Sequence, residues 1–171
     1  MYTDIRNSII QIVKSCLTEY PNTIVRNSHQ DEKLPAGTSL TVNVLEFFQV
    51  GMAQKSGRLD QAGKITTIVP MEVQIGLSFT GSTAQQVAFS FYSRLKNGAN
   101  YTDESIKQNI KVLRKTSLRR IPYRDGEKWV EYSNFNAVFH LMVGYSETVL
   151  PVNQVIVEDT NNQITFTIPN S

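Results

Sequence analysis

Two periodicities organise the chain. From Val69 onward, Met71, Val73, Ile75, Leu77 and Phe79 alternate with Pro70, Glu72, Gln74, Gly76, Ser78 and Thr80, the period of two that a strand with one buried face requires. Pro70 lacks an amide hydrogen and belongs at an edge, a bulge or the strand's start. The stretch FNAVFHLMVGY shows the same period, with Phe135, Ala137, Phe139, Leu141, Val143 and Tyr145 on one face. Its other face is only half polar: Asn134 and Asn136, then Val138, His140 and Met142, then Gly144 and Ser146. A helix of the same chain, a ligand or another copy must cover that apolar half.

Helical spacing appears in three places. Ile5, Ile9, Ile12 and Cys16 form one stripe over Thr3 to Thr18, with Thr3 or Asp4 as cap and Pro21 ending the run. Ala84, Val87, Ala88, Phe91 and Leu95 form a second, capped by Ser82 or Thr83 and stopped at Asn97-Gly98. A third helix starts at YTDES, with Thr102 as cap, Asp103 and Glu104 in the first turn, and Ile106, Ile110 and Leu113 inward.

Between these lie further strands. Thr23 to Arg26 reads as a short strand ahead of a surface loop through Pro35 and Gly37, and the strand from Ser39 loses its alternation near Glu46, which marks a bend or bulge. Gly51 to Lys64 is polar and glycine-rich and reads as a long hairpin excursion, a loop or arm whose Lys55, Arg58, Asp60 and Lys64 are placed to contact a partner, with a merely disordered segment as the alternative. A strand to about Arg124, an Asp125-Gly126 turn and a return strand from about Trp129 make a hairpin. Unbroken to Tyr145, that return would span roughly 55 Å at about 3.3 Å per residue, so a bulge is expected near Asn134 or Asn136. Residues 155–171 read as two short strands about a Thr160 to Asn162 turn. The fold class is therefore α+β: one domain over residues 1–171, mainly antiparallel sheet, flanked by an N-terminal helix and two central helices.

Composition narrows the function. The 171 residues, 40% hydrophobic, suit one domain with a sizeable core. A net charge of +2 argues against a dedicated electrostatic nucleic-acid binder. The basic stretch Lys111 to Arg120 reads as a solvated helix end and strand start, with a phosphate-binding patch as the alternative. No apolar run reaches the roughly 18 residues of a membrane span, and the N-terminus has no leader pattern, so a soluble, unprocessed chain is expected.

Catalytic chemistry finds no foothold. His29 sits beside Asp31 and Glu32 without a histidine or cysteine at ligand spacing, and reads as a surface residue. His140 reads as a semi-buried or interface histidine. Cys16, the single cysteine, lies on an apolar stripe and reads as a buried small hydrophobe. GSTAQQ follows a strand but lacks the lysine of a phosphate loop, and Asp103/Glu104 and Glu158/Asp159 are explained by a helix start and a turn. The aromatics Phe47, Phe48, Phe89, Phe91, Tyr92, Trp129 and Tyr132 are assigned mostly to the core. No cofactor or metal is expected.

The order of parts is itself informative. A helix leads to IVRNSHQDEKLPAGTSLTVNVL, then VPMEVQIGLSF leads to the helix AQQVAFSFYSRL, and then comes SLRRIPYRDGEKWVEYSNFNAVFHLMVGYSETV with its Asp125-Gly126 turn and Trp129. From about Tyr2 to Val149 this resembles the neck and tail-terminator proteins of tailed bacteriophages, small head-tail joining proteins. The resemblance implies a virion protein without enzymatic activity, assembled in the host cytoplasm. It also implies a homo-hexameric ring, docked to tail-tube and head-connector proteins, through which DNA passes without specific binding. Val138, His140 and Met142 would then meet a neighbouring subunit. A ligand- or nucleic-acid-binding module using residues 111–120 is the alternative.

Overall fold

The computed structural model describes residues 2–28, 37–56, 60, 63–148, 154–158 and 163–167. Readings that fall on His29, Pro35, Arg58 and the Thr160 to Asn162 turn lie outside them. In chain order come α1 (Tyr2–Ser15), β1 (Ile24–Asn27), β2 (Ser39–Gln49), β3 (Gln54–Lys55), β4 (Lys64–Thr80), α2 (Ala84–Arg94) and α3 (Ala99–Gln108). There follow β5 (Ile110–Lys115), β6 (Arg119–Arg120), β7 (Tyr123–Asp125), β8 (Lys128–Val130), β9 (Tyr132–Thr148), β10 (Gln154–Glu158) and β11 (Gln163–Thr167). The expected α+β class is the one observed.

Two compact units share the chain: residues 1–52 with 69–143, and residues 53–68 with 144–171. The main sheet has the order β1-β2-β4-β9-β5, with β3 on β4 and β6 on β9. β1 runs parallel to β2, whereas β2 with β4 and β5 with β9 are antiparallel. In the first unit the alternation read from the sequence becomes a buried face. Leu40, Val42, Val73, Ile75, Leu77, Phe79, Phe135, Ala137, Phe139 and Leu141 are buried together with Ile9, Ile12, Val13 and Cys16 of the N-terminal helical segment and with Ala84, Val87, Ala88, Phe91 and Leu95 of the α2 segment. Phe79, Phe91, Phe135 and Tyr92 form its aromatic centre, with ring centroids 4.9 to 6.4 Å apart. The face ends at Val143, and Tyr145 is exposed.

Both bulges extrude a leucine. The β2–β4 register shifts between Val44 and Glu46, where the sequence loses its phase, and the β5–β9 register shifts between Val112 and Arg114. Leu45 and Leu113, the extra residues, are exposed. Pro70 falls between the β2 ladder, which ends at Gln49↔Met71, and the β3 ladder, which begins at Gln54↔Ile68, so its missing amide hydrogen breaks neither. Gly81 turns the chain from β4 into α2 at φ +123, and a Cβ there would collide with the Gly37 carbonyl.

Several expectations need correction. The third helix begins at Ala99 with Gly98 at its cap, not Thr102, whose hydroxyl donates back to the Gly98 carbonyl at 3.1 Å. It ends where Asn109 adopts a left-handed conformation, φ 51 and ψ 41, so Ile110 and Leu113 belong to β5 and Ile106 points to solvent. The spacing of Ile106, Ile110 and Leu113 bridged a helix end by coincidence. The inward residues of α3 are Tyr101 and Ser105, whose polar tips carry no apolar signal: Ser105 donates to the Ile110 carbonyl at 2.6 Å and Tyr101 accepts from the Val112 amide at 2.8 Å. Thr83 does sit at the α2 cap, but its hydroxyl bonds to that of Thr38 at 2.6 Å rather than capping the helix. The long return strand breaks at Glu131, not at Asn134 or Asn136. In the hairpin, Gly126 at φ +59 takes the first central position of a two-residue loop closed by Asp125↔Lys128.

Candidate functional site

The face of β9 opposite the core carries Val138, His140 and Met142, which alternate along the strand. They differ in what covers them. Arg114 of β5 is the register partner of Val138 and forms an ion pair at 3.7 Å with Glu72 of β4. β9 lies between β5 and β4, so this pair passes over it and the chain itself covers Val138, which is 6% exposed. His140, opposite Lys111, is half-buried, and Met142 is 47% exposed. Towards Tyr132 the same face is polar and internally bonded: Tyr132 donates to the Ser78 hydroxyl at 2.9 Å and Ser28 to Asn43 Oδ1 at 2.8 Å. Gly76 leaves room there, with Leu45, Asn136 and Asn43 at ordinary contact distance from where its Cβ would lie.

The polar excursion forms a hairpin whose described part is closed by side-chain and backbone bonds. Lys55 pairs with Thr67 in the β3–β4 ladder and is exposed. The Asp60 carboxylate and carbonyl accept from the Lys64 and Gly63 amides at 2.9 and 3.0 Å, while the Asp60 amide donates to the Lys64 carbonyl. Arg58, the remaining residue assigned here, is outside the described residues.

The basic stretch is two strands, not a helix end, and much of its charge has local partners. The Lys115 ammonium donates to the Tyr92 and Leu95 carbonyls at 2.6 and 2.8 Å and lies 4.2 Å from the Tyr92 ring centroid, so it closes the C-terminal end of α2. Burial, and next the neighbouring Lys96, pull its pKa below the ordinary 10.5. Arg114 reaches Glu72, and Arg120 reaches Glu131 at 3.4 Å.

A surface the sequence reading missed lies beside α2. Phe89 is 68% exposed on the outer side of that helix and lines an open groove of about 500 Å³ with Gln85, Gln86, Leu118, Arg120 and Glu131. Trp129 on β8 is 73% exposed, and Ile121 and Tyr123 are exposed on the same hairpin region. Both Phe89 and Trp129 belong to the group of aromatics read mostly as core. The signal was available for Phe89: Val87, Ala88 and Phe91 fix the buried side of the helix, and position 89 lies off it.

Among the described residues no group of three His, Cys, Asp or Glu side chains is placed to hold a metal ion, and no helix is long and apolar enough to cross a membrane. Cys16 is buried, and burial pushes its thiol up to about 11 from 9.0. Native protein should therefore resist a maleimide at neutral pH and label fully once denatured, read by intact mass; rapid native labelling would refute this burial. The sign of the shift also sets a pH window. A thiol whose folded pKa exceeds its unfolded one contributes stability that is intact below pH 9 and is lost as pH rises towards about 11.

Sequence and structure comparisons bear on what these surfaces serve. No curated protein matches the sequence. A similar solved structure comes from an extracellular contractile injection system, the PVC sheath/tube terminator in its extended state. It shares 10% sequence identity at a TM-score of 0.46, and the match covers 100% of this chain and 64% of that one. This chain thus spans just under two thirds of that protein's length. A family model described as phage neck terminator protein matches residues 3–168, and because that match runs from α1 through β11, the chain belongs to the phage neck terminator family.

Proposed function

We propose that this chain closes the end of a phage tail tube as a ring of six identical subunits in the virion neck, with residues 1–171 acting as one working domain. The ring docks to the tube on one side and to the head connector on the other, and is assembled in the host cytoplasm. The observation that carries the reading is the extent of the family correspondence, residues 3–168, which supports a structural, tail-terminating role. Charge agrees with a channel that DNA passes without being held: the formal net charge is +2, and Arg114, Lys115 and Arg120 have partners within the chain. In this reading Met142 and His140 form the strip that meets a neighbouring subunit, and the excursion at Lys55, Arg58, Asp60 and Lys64 reaches a partner. Phe89 and Trp129 supply the exposed apolar area a tube or connector contact needs.

Met142→Lys tests the subunit contact. Within one chain the lysine keeps its ammonium in water from a half-exposed position, so stability should change by no more than about 0.5 kcal/mol. At a subunit contact it buries an unpaired charge, at a cost of about 3 kcal/mol, on the order of a hundredfold in association. Solution mass and melting temperature, measured for wild type and variant alone and on isolated tails, read the two effects apart. A variant that assembles like wild type removes this strip from the interface. A wild type that neither forms rings nor decorates the tail end in electron micrographs removes the ring itself.

A further inference from the structure

Among the described residues, one stretch of β9 has no strand beside it on its β5 side. Among the described residues, β9 has ladder partners on its β5 side at Ser133–Asn134 and Ala137–Leu141, and none from Gly144 to Thr148. β5 cannot grow to cover them, because Ile110 pairs with Leu141 and the residues just before it belong to the turn at Asn109 and to α3. The two edges also differ in how they are guarded. β5 carries a bulge and the cations Lys111, Arg114 and Lys115, devices that deter strand addition. Gly144–Thr148 is exposed, with no proline, no lysine and a single charge at Glu147.

The same unit holds a ribbon that lacks a sheet. β10 and β11 pair over five residues, from Gln154↔Thr167 to Glu158↔Gln163, and form a two-stranded sheet of their own. Two strands alone are marginal in water. Register places Val155 opposite Phe166 and Val157 opposite Ile164. Each chain thus carries one open edge of five residues and one ribbon of five-residue strands, and joins them by no ladder of its own among the described residues.

We propose that the β10–β11 ribbon of one copy adds to the Gly144–Thr148 edge of β9 in a second copy. Donor and acceptor are different surfaces of one chain, so the contact is head-to-tail and closes into a ring or runs on as a filament. Main-chain hydrogen bonds supply the join. The inference rests on the ring reading above and specifies how neighbours are linked.

Cross-linking on the full chain tests it, since Cys16 is buried and silent in native protein. Ser146→Cys in one population is mixed with Ile156→Cys or Thr165→Cys in another, at the midpoints of β10 and β11, and treated with a short bismaleimide. The expected product is a linked pair containing one chain of each kind, seen by intact mass, and absent when any population is treated alone. On one chain, Ser146→Cys with Ile156→Cys or Thr165→Cys should give ladders of linked chains on denaturing gels. Unchanged melting temperatures show that the variants fold. An internal link that leaves every chain monomeric overturns the proposal, as does the absence of mixed product in an assembled preparation. The second outcome leaves the ring reading standing, whereas protein that is monomeric both alone and on tails overturns both.

Discussion

Phe79→Ala should lower stability by about 3–5 kcal/mol, the usual cost of deleting a buried phenylalanine. Phe79 is fully buried, lies near-parallel to Phe135 at 6.4 Å and tilted against Phe91 at 5.4 Å. It is the point where β4, β9 and α2 meet, and the cavity cannot close without moving all three. Set against a total of roughly 5–15 kcal/mol, the loss is a large fraction of the margin. For a chain of this size it corresponds to a fall of roughly 6–20 °C in melting temperature. Phe89→Ala on the same helix is the control, because its ring is exposed and its loss should cost no more than about 0.5 kcal/mol. Thermal and urea unfolding of the two variants would contradict this account of the core if they came out alike.

Lys115→Met should cost about 2–3 kcal/mol. Methionine retains most of the stem and removes two charge-assisted bonds to the Tyr92 and Leu95 carbonyls, together with the cation above the Tyr92 ring. The last turn of α2 is then left without that partner at its negative end. Burial already depresses the pKa of this ammonium, so part of the gain from its bonds is offset by desolvation, which holds the expected loss to this range. Amide exchange should locate the damage, with faster exchange in the last turn of α2 and little change in α1. Equal acceleration across both helices would mean that Lys115 acts through the whole core and not as a cap.

What could be read from the sequence followed from where the buried faces are apolar. The alternation of Val73, Ile75, Leu77 and Phe79 and the stripe of Val87, Ala88, Phe91 and Leu95 each appear as buried faces because those positions have no other means of reaching the core. The bulge near Glu46 was visible as a lost phase. The third helix was misplaced because its inward face is Tyr101 and Ser105, residues that bury through hydroxyl bonds to β5 and leave no periodic trace. Val138 was assigned to a subunit contact, and the ion pair between two flanking strands beside it, Arg114 to Glu72, has no signature in one strand's alternation. Phe89 and Trp129, grouped with aromatics read mostly as core, are instead exposed, and for Phe89 the stripe of Val87, Ala88 and Phe91 already marks the opposite side of the helix as buried.

The place of β9 between β4 and β5 has a consequence for the chain as it is made. Phe91 can meet Phe79 as soon as α2 is synthesised, but Phe135, which closes the aromatic cluster, comes 135 − 91 = 44 residues later. At about 5–20 residues per second the delay is roughly 2–9 s. Through that interval β4 lacks the strand on its β5 side and the aromatic cluster lacks its last ring. The pairing of β4 with β9 must also bridge Ser78 and Tyr132, 54 positions apart. Such distant contacts fold slowly and leave edges open to other chains while they wait. The chain therefore passes its most aggregation-prone moment before residue 135 leaves the ribosome, and the late arrival of β9 is what ends it.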